Sequence, residues 1–329
     1  CRNTPSPTIT FTGAGGTAPY TFTYTLNGGG NQTVTTTSGN SATVAASTAI
    51  PGTYTYALVS VQDASSTTCS QNQAGNAVVT VNPAPGAAIA GDIAVCNGAA
   101  QPNITFTGNS GTMPYTFTYN INGGASQTVS TTGGNSAVTV AVPTSPSGTY
   151  TYSLTGVQDA AASACGFASG GATVTINPLP TASIAGTTTV CRNTPSPNIT
   201  FTGANGTAPY TFTYTLDGGA NQTVTTTVGN SVTVPVSTAS PGTFTYSLVS
   251  VQDASSTTCS QNQTGSALVT VNPAPGANIA GDIAVCNGAA APNITFTGNS
   301  GTIPYTFTYN INGGANQTVS TTGGSSAVT

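Results

Sequence analysis

The chain has 329 residues, a formal net charge of −4 and 2% charged residues, comprising two Arg and six Asp with no Lys, Glu, His or Trp. With only Arg2 and Arg192 as cations nothing can neutralise a phosphate backbone, and without His, Lys or Glu no hydrolase triad can form and no base activates the abundant Ser and Thr hydroxyls, so nucleic-acid binding and this kind of catalysis are excluded. Apolar residues still reach 37% and alternate regularly, enough to bury a core, while no apolar run approaches the roughly 20 residues of a membrane-spanning helix.

The elements repeat along the chain. Cysteines at 1, 96, 191 and 286 are spaced by 96 − 1 = 191 − 96 = 286 − 191 = 95 residues, so a tandem array is expected. Residues 1–44 match 191–234 except at Thr8, Gly15, Asn27, Gly30, Ser38 and Ala42, whereas the unit opening at Cys96 diverges further; the duplicated unit is a pair of repeats. Three periods leave 329 − 285 = 44 residues, and the chain reads as a segment of something longer. In the first repeat, strands are predicted over 9–12, 20–26, 34–37, 42–45, 53–61 and 77–81, with the next repeat opening on a strand near 87–90. In residues 20–26 the aromatic and aliphatic side chains occupy every second place and Thr fills the other face, the pattern of a half-buried sheet. It recurs at Tyr115–Ile121, Tyr210–Leu216 and Tyr305–Ile311, each closed by Asn-Gly-Gly or Asp-Gly-Gly, favoured in hairpin turns that need positive φ. About seven strands per 95 residues, without helical periodicity, predict an all-β fold: a tandem array of seven-stranded antiparallel immunoglobulin-like sandwiches forming a rod. The expected boundaries are 1–83, lacking its first strand, 84–178, 179–273, and 274–329, truncated at its C-terminal end. The prolines of Asn82-Pro83-Ala84-Pro85, Asn177-Pro178-Leu179-Pro180 and Asn272-Pro273-Ala274-Pro275 stop sheet pairing and predict short, stiff junctions.

The motifs carried by Cys191, Pro197–Gly203, Pro209–Gly219, Gly242–Asp253, Cys259 and Val269–Gly281 resemble the immunoglobulin-like or PKD-like repeats of very large Bacteroidota surface proteins, the class that includes gliding-motility adhesins. The resemblance covers the whole chain, and it implies secretion or cell-surface attachment and a structural or adhesive role. Two functions follow: a fibre or stalk whose repeats supply length, or an adhesin whose repeats themselves bind glycans or surfaces. The implied partners are neighbouring repeats of the same chain and, because the Thr-rich edges carry no charged guards, other copies laterally.

Few residues are candidates for chemistry. Gly13-Ala14-Gly15-Gly16 lacks the Lys and following helix of a phosphate loop, no Cys-x-x-Cys spacing suggests zinc, and the alternating aromatics read as core; no cofactor is implied. The sequons at Asn31 and Asn198 carry little weight in a chain this rich in Asn and Thr. Only aspartates can hold a cation: Asp63, Asp159 and Asp253 follow the long strand, while Asp92 and Asp282 precede Val-Cys, with Thr187 in that place in the intervening repeat. Asp92 of one repeat and Asp253 of the next are therefore the calcium candidates, set against the plain role of capping turns. The seven cysteines, Cys1, Cys69, Cys96, Cys165, Cys191, Cys259 and Cys286, point to disulfides in an oxidising compartment. Two pairings stay open: within repeats, Cys96 with Cys165 and Cys191 with Cys259, or between repeats, Cys1 with Cys165 and Cys96 with Cys259, which leaves Cys69, Cys191 and Cys286 for partners elsewhere.

Overall fold

The structure, a computed structural model, describes residues 2–161, 166 and 168–329, so that Cys1 and Cys165 lie outside the described residues. The chain divides into two compact units, Cys1–Ile176 and Asn177–Thr329.

The third repeat shows the sandwich in full. Its smaller sheet has Asn198–Ala204 at the centre, flanked by Thr181–Ala185 and Ser231–Pro235. The larger sheet runs, in spatial order, Thr188–Cys191, Ser266–Asn272, Gly242–Gln252, Thr211–Leu216 and Gln222–Thr225. Alternation places Phe201, Phe212, Tyr214, Tyr246, Leu248, Val251, Val269 and Val271 between the two sheets. Phe201 and Phe212 face each other across the layers with ring centroids 5.7 Å apart, the offset packing that aromatic quadrupoles favour. On the outer face Thr211 and Thr225 join their hydroxyls at 2.9 Å across the strand pair, with Thr211 half-buried and Thr225 exposed. Close approach fixes one glycine: a Cβ at Gly203 would lie 2.5 Å from Cγ of the Tyr210 ring, and the same glycine–tyrosine contact occurs at Gly13, Gly108 and Gly298.

The hairpin expectation is met. Asp217 and Gly218 have φ of 51° and 71°, as do Asn27 and Gly28 at 53° and 71°, both in the left-handed region that a tight two-residue turn requires. The Asp217 carboxylate also accepts the Thr245 N–H of the long strand at 2.7 Å, a bond that the Asn27 side chain reproduces with Thr55 at 2.8 Å.

The all-β, immunoglobulin-like sandwich is as expected, but the strands differ in two respects. Thr188–Cys191, and Ile93–Cys96 in the second repeat, are additional strands that residue patterning did not reveal, and Thr188–Cys191 pairs parallel with Ser266–Asn272, placing Cys191 opposite Asn272. The sandwich is therefore not purely antiparallel. The opening segment of the repeat breaks at Gly186, whose φ of 123° lets the chain leave one sheet and join the other. A short strand, Ser260–Asn262, also pairs with the end of Gly242–Gln252. Boundaries moved slightly too: the strand placed at 34–37 is Asn31–Thr35, and Thr36 is instead buried, its hydroxyl accepting the Tyr20 N–H at 2.9 Å.

The second repeat has the same two sheets, with three and five strands among the described residues. In the first repeat the smaller sheet contains two strands, Thr8–Thr12 and Ser41–Ala45. In the fourth, Gly276–Ala280, Thr295–Asn299 and Ala327–Val328 form one sheet and Thr306–Tyr309 with Gln317–Ser320 the other.

Candidate functional site

The sequence candidates lie at opposite ends of the repeat. After the long strand Gly242–Gln252 the chain turns through Asp253, and the Asp253 carboxylate organises the loop that follows. Its Oδ2 accepts the Thr207 N–H at 3.0 Å, and its Oδ1 accepts the Ser255 N–H at 3.3 Å and the Ser255 hydroxyl at 2.7 Å. The Asp253 N–H in turn donates to the Cys259 carbonyl at 3.0 Å, which closes the loop. Thr258 adopts φ 47°, and the Thr257 hydroxyl lies 3.1 Å from the Cys259 sulfur. Asp253 is 4% exposed and Cys259 1%.

This burial is completed by the segment that precedes the repeat. The Asn177 side-chain amide donates to the hydroxyls of Ser256 at 3.3 Å and Thr257 at 2.9 Å. Pro180 is buried beside Gly206, where an added Cβ would lie 2.8 Å from Asp253 Oδ2 and 3.0 Å from Pro180 Cβ. The same seat recurs with Pro85 against Gly111 and Pro275 against Gly301. The proline junctions are thus fitted against the glycine loop of the repeat they introduce.

The equivalent aspartates do the same work. Asp63 accepts from Thr17 N–H at 3.2 Å, Ser65 hydroxyl at 2.7 Å and Cys69 N–H at 2.9 Å. The Ser65 hydroxyl above all, then the Thr17 N–H, holds the Asp63 carboxyl below the ordinary carboxylate range. Asp159 accepts from Thr112 N–H at 2.8 Å and Ala161 N–H at 3.2 Å.

Asp92 sits at the other end, exposed, with its carboxylate accepting the Thr173 N–H at 2.6 Å. Its counterpart Thr187 uses a hydroxyl for the same purpose, accepting the Leu268 N–H at 3.1 Å. The alternation between Asp and Thr at this place therefore follows from a shared need for one acceptor facing the last strand. Asp282 is exposed, before residues 283–286, which are not strand. Among the described residues no three His, Cys, Asp or Glu side chains gather as metal ligands.

The cysteines among the described residues fall into two states. Cys96 and Cys259 are disulfide-bonded, whereas Cys69, Cys191 and Cys286 are free thiols, all exposed. The within-repeat alternative for the third repeat, Cys191 with Cys259, is therefore not formed. The reason is distance: Cys191 stands opposite Asn272 beside the Gly242 end of the long strand, while Ser260, next to Cys259, pairs with Gln252 at the other end. Eleven strand residues at about 3.3 Å each separate those ends by roughly 30 Å, whereas bridged Cα atoms lie within about 7 Å.

Sequence reasoning missed the Asn177 amide and the buried Pro180 as part of this loop. The signal available was the invariance of Asn-Pro-x-Pro at 82–85, 177–180 and 272–275, which a plain spacer does not require.

Among the described residues no helix is long and apolar enough to cross a membrane. No protein-family model matches the chain, and no curated protein matches it. Among solved structures it is similar to part of a 1.5-MDa bacterial ice-binding adhesin, at 16% identity and TM-score 0.35, covering 81% of this chain and 91% of that one. It is also similar to a tetra-tandem repeat from the extending region of a large adhesion protein, at 17% identity and TM-score 0.32, covering 98% and 86%. Three immunoglobulin domains of titin align at 13% identity and TM-score 0.43, covering 81% and 93%. The chain is built of tandem immunoglobulin-like sandwiches, as the strand pairing within each repeat shows.

Proposed function

We propose that the chain is a structural segment of a long extracellular or cell-surface fibre or stalk, in which each repeat adds length. The observation that carries this reading is the use of the aspartates and the junction prolines: the carboxylates of Asp63, Asp159 and Asp253 are engaged by donors of their own repeat, and Pro85, Pro180 and Pro275 are seated on the loop of the repeat they introduce. Polar groups consumed in this way hold a loop and a junction in one geometry. A chain with 2% charged residues also has little for salt to screen, which suits an element exposed to changing surroundings. Secretion and surface attachment, implied by the repeat class that the motifs resemble, belong to the same reading.

Small-angle scattering of chains with two, four and six repeats tests it. The maximum dimension should grow linearly with repeat number, by about the length of one sandwich each time. A dimension that levels off would overturn the fibre reading, and selective retention of a single repeat on a glycan array would replace it with the adhesin reading.

A further inference from the structure

We propose that Asn27 is a site of spontaneous deamidation, and that the hairpin turn it begins accepts the aspartate product without rearrangement. The third repeat already carries that product. Asn27-Gly28, Asn122-Gly123 and Asp217-Gly218 occupy one place in successive repeats, since 122 − 27 = 217 − 122 = 95. All three turns are left-handed, with φ of 53° and 71°, 51° and 71°, and 51° and 71°. In each, the first residue clamps the turn to the long strand twice. Its N–H donates to the carbonyl of Thr55, Thr151 or Thr245 at 2.9, 2.9 and 2.8 Å, and its side-chain Oδ1 accepts the N–H of the same threonine at 2.8, 2.7 and 2.7 Å. Carboxamide and carboxylate are interchangeable in this clamp because it uses a single acceptor oxygen.

The chemistry needs only water. The Gly28 nitrogen, losing its proton, attacks the side-chain carbonyl carbon of Asn27; the bond to Nδ2 breaks and ammonia leaves, closing a succinimide ring. Water then opens the ring. Cleavage between the side-chain carbonyl carbon and the nitrogen gives Asp, whereas cleavage at the main-chain carbonyl gives isoaspartate, whose lengthened backbone releases the Thr55 clamp. Glycine permits the attack because no Cβ shields its nitrogen, and Asn27 and Gly28 are both exposed, with open space where a Gly28 side chain would stand. Hydrogen bonding to the attacking nitrogen separates this site from four of the other five Asn-Gly pairs. Gly123 and Gly313 donate their N–H to the side-chain oxygens of Asn120 and Asn310 at 3.2 Å each, whereas Thr25 stands at that place before Gly28. Gly98 donates to the Thr144 carbonyl at 3.0 Å and Gly206 to the Tyr210 hydroxyl at 3.2 Å. A nitrogen whose proton is held by an acceptor attacks more slowly. Conversion of Asn27 takes the formal net charge from −4 to −5.

The test is incubation of the full chain in warm, mildly alkaline buffer, followed by peptic peptide mapping that separates the Asn, Asp and isoaspartate forms. Asn27 should convert about fivefold faster than Asn122, the factor that one net hydrogen bond is worth. The Asn120→Thr chain carries the residue that the first and third repeats have there, and in it Asn122 should convert at the rate of Asn27. Equal rates at Asn27 and Asn122 in the native chain, or an Asn122 rate unmoved by Asn120→Thr, would overturn the proposal. Independently, the Asn27→Asp chain should unfold at the same denaturant concentration as the native chain; a clear loss of stability would show that the turn does not accept the product. Neither readout bears on the fibre reading, which concerns how length grows with repeat number.

Discussion

Residues 63–73 and 253–263 share one sequence, Asp-Ala-Ser-Ser-Thr-Thr-Cys-Ser-Gln-Asn-Gln, and fold into the same aspartate-closed loop with Thr68 and Thr258 both at φ 47°. Their surroundings differ. In the third repeat the loop meets Asn177 and Pro180, and Asp253, Ser255 and Cys259 are buried; in the first, Asp63 and Ser65 are half-buried and Cys69 is exposed. The hydrogen bonds of the loop are therefore local properties, whereas its burial in the third repeat is completed by Asn177 and Pro180.

The comparison can be broken most strongly at the core, where the two repeats should behave alike. Phe22 and Phe212 are 1% and 0% exposed, so Phe22→Ala and Phe212→Ala should each destabilise their own repeat by about 3–5 kcal/mol in denaturant titrations of the full chain. A loss confined to one of them would mean that the two sandwiches are not equivalent. At the loop the repeats should diverge. Asp253→Ala leaves the buried Ser255 hydroxyl and the Thr207 N–H without their acceptor and should cost about 2 kcal/mol, while Asp63→Ala, at a less buried carboxylate, should cost clearly less. Thr187→Ala removes the acceptor facing Leu268 N–H and should cost about 1 kcal/mol, with Thr187→Asp restoring the bond that Asp92 makes.

The smallest effect is a pH dependence. Because the folded Asp63 carboxyl is held below its ordinary value of 3.8, its ionised form is favoured by folding; its contribution is present above that value and disappears as pH falls through the folded one. Thermal melts of the native and Asp63→Asn chains should accordingly converge as pH drops below about 4, and a difference that persisted in acid would show that the carboxylate charge is not the source.

Much of this fold was legible in residue alternation. Phe212 and Tyr214 are buried and the intervening Thr213 is not, as the period of two requires, and the Asp217-Gly218 turn has the positive φ that its residue types suggest. The strand Thr188–Cys191 was not legible, because four residues paired parallel to a strand 81 positions away (269 − 188) give no local periodicity. The aspartates were legible as turn residues, but the burial of Asp253 was not, since Asn177 and Pro180, which precede the repeat, pack against its loop. The cysteine spacing admitted two pairings; strand register in the third repeat removes one member of the first, because Cys191 and Cys259 end up at opposite ends of the same long strand.

Amide hydrogen exchange of the full chain, held in reductant so that covalent bridging contributes nothing, tests the central claim most directly. The N–H groups of Asp63 and Thr68 make the same bonds as those of Asp253 and Thr258, to the carbonyls of Cys69, Ser65, Cys259 and Ser255 respectively. If Asn177 and Pro180 complete the loop of the third repeat, the Asp253 and Thr258 amides should exchange at least about tenfold more slowly than their counterparts, a difference of about 1.4 kcal/mol in opening free energy. Equal rates in the two loops would contradict the account.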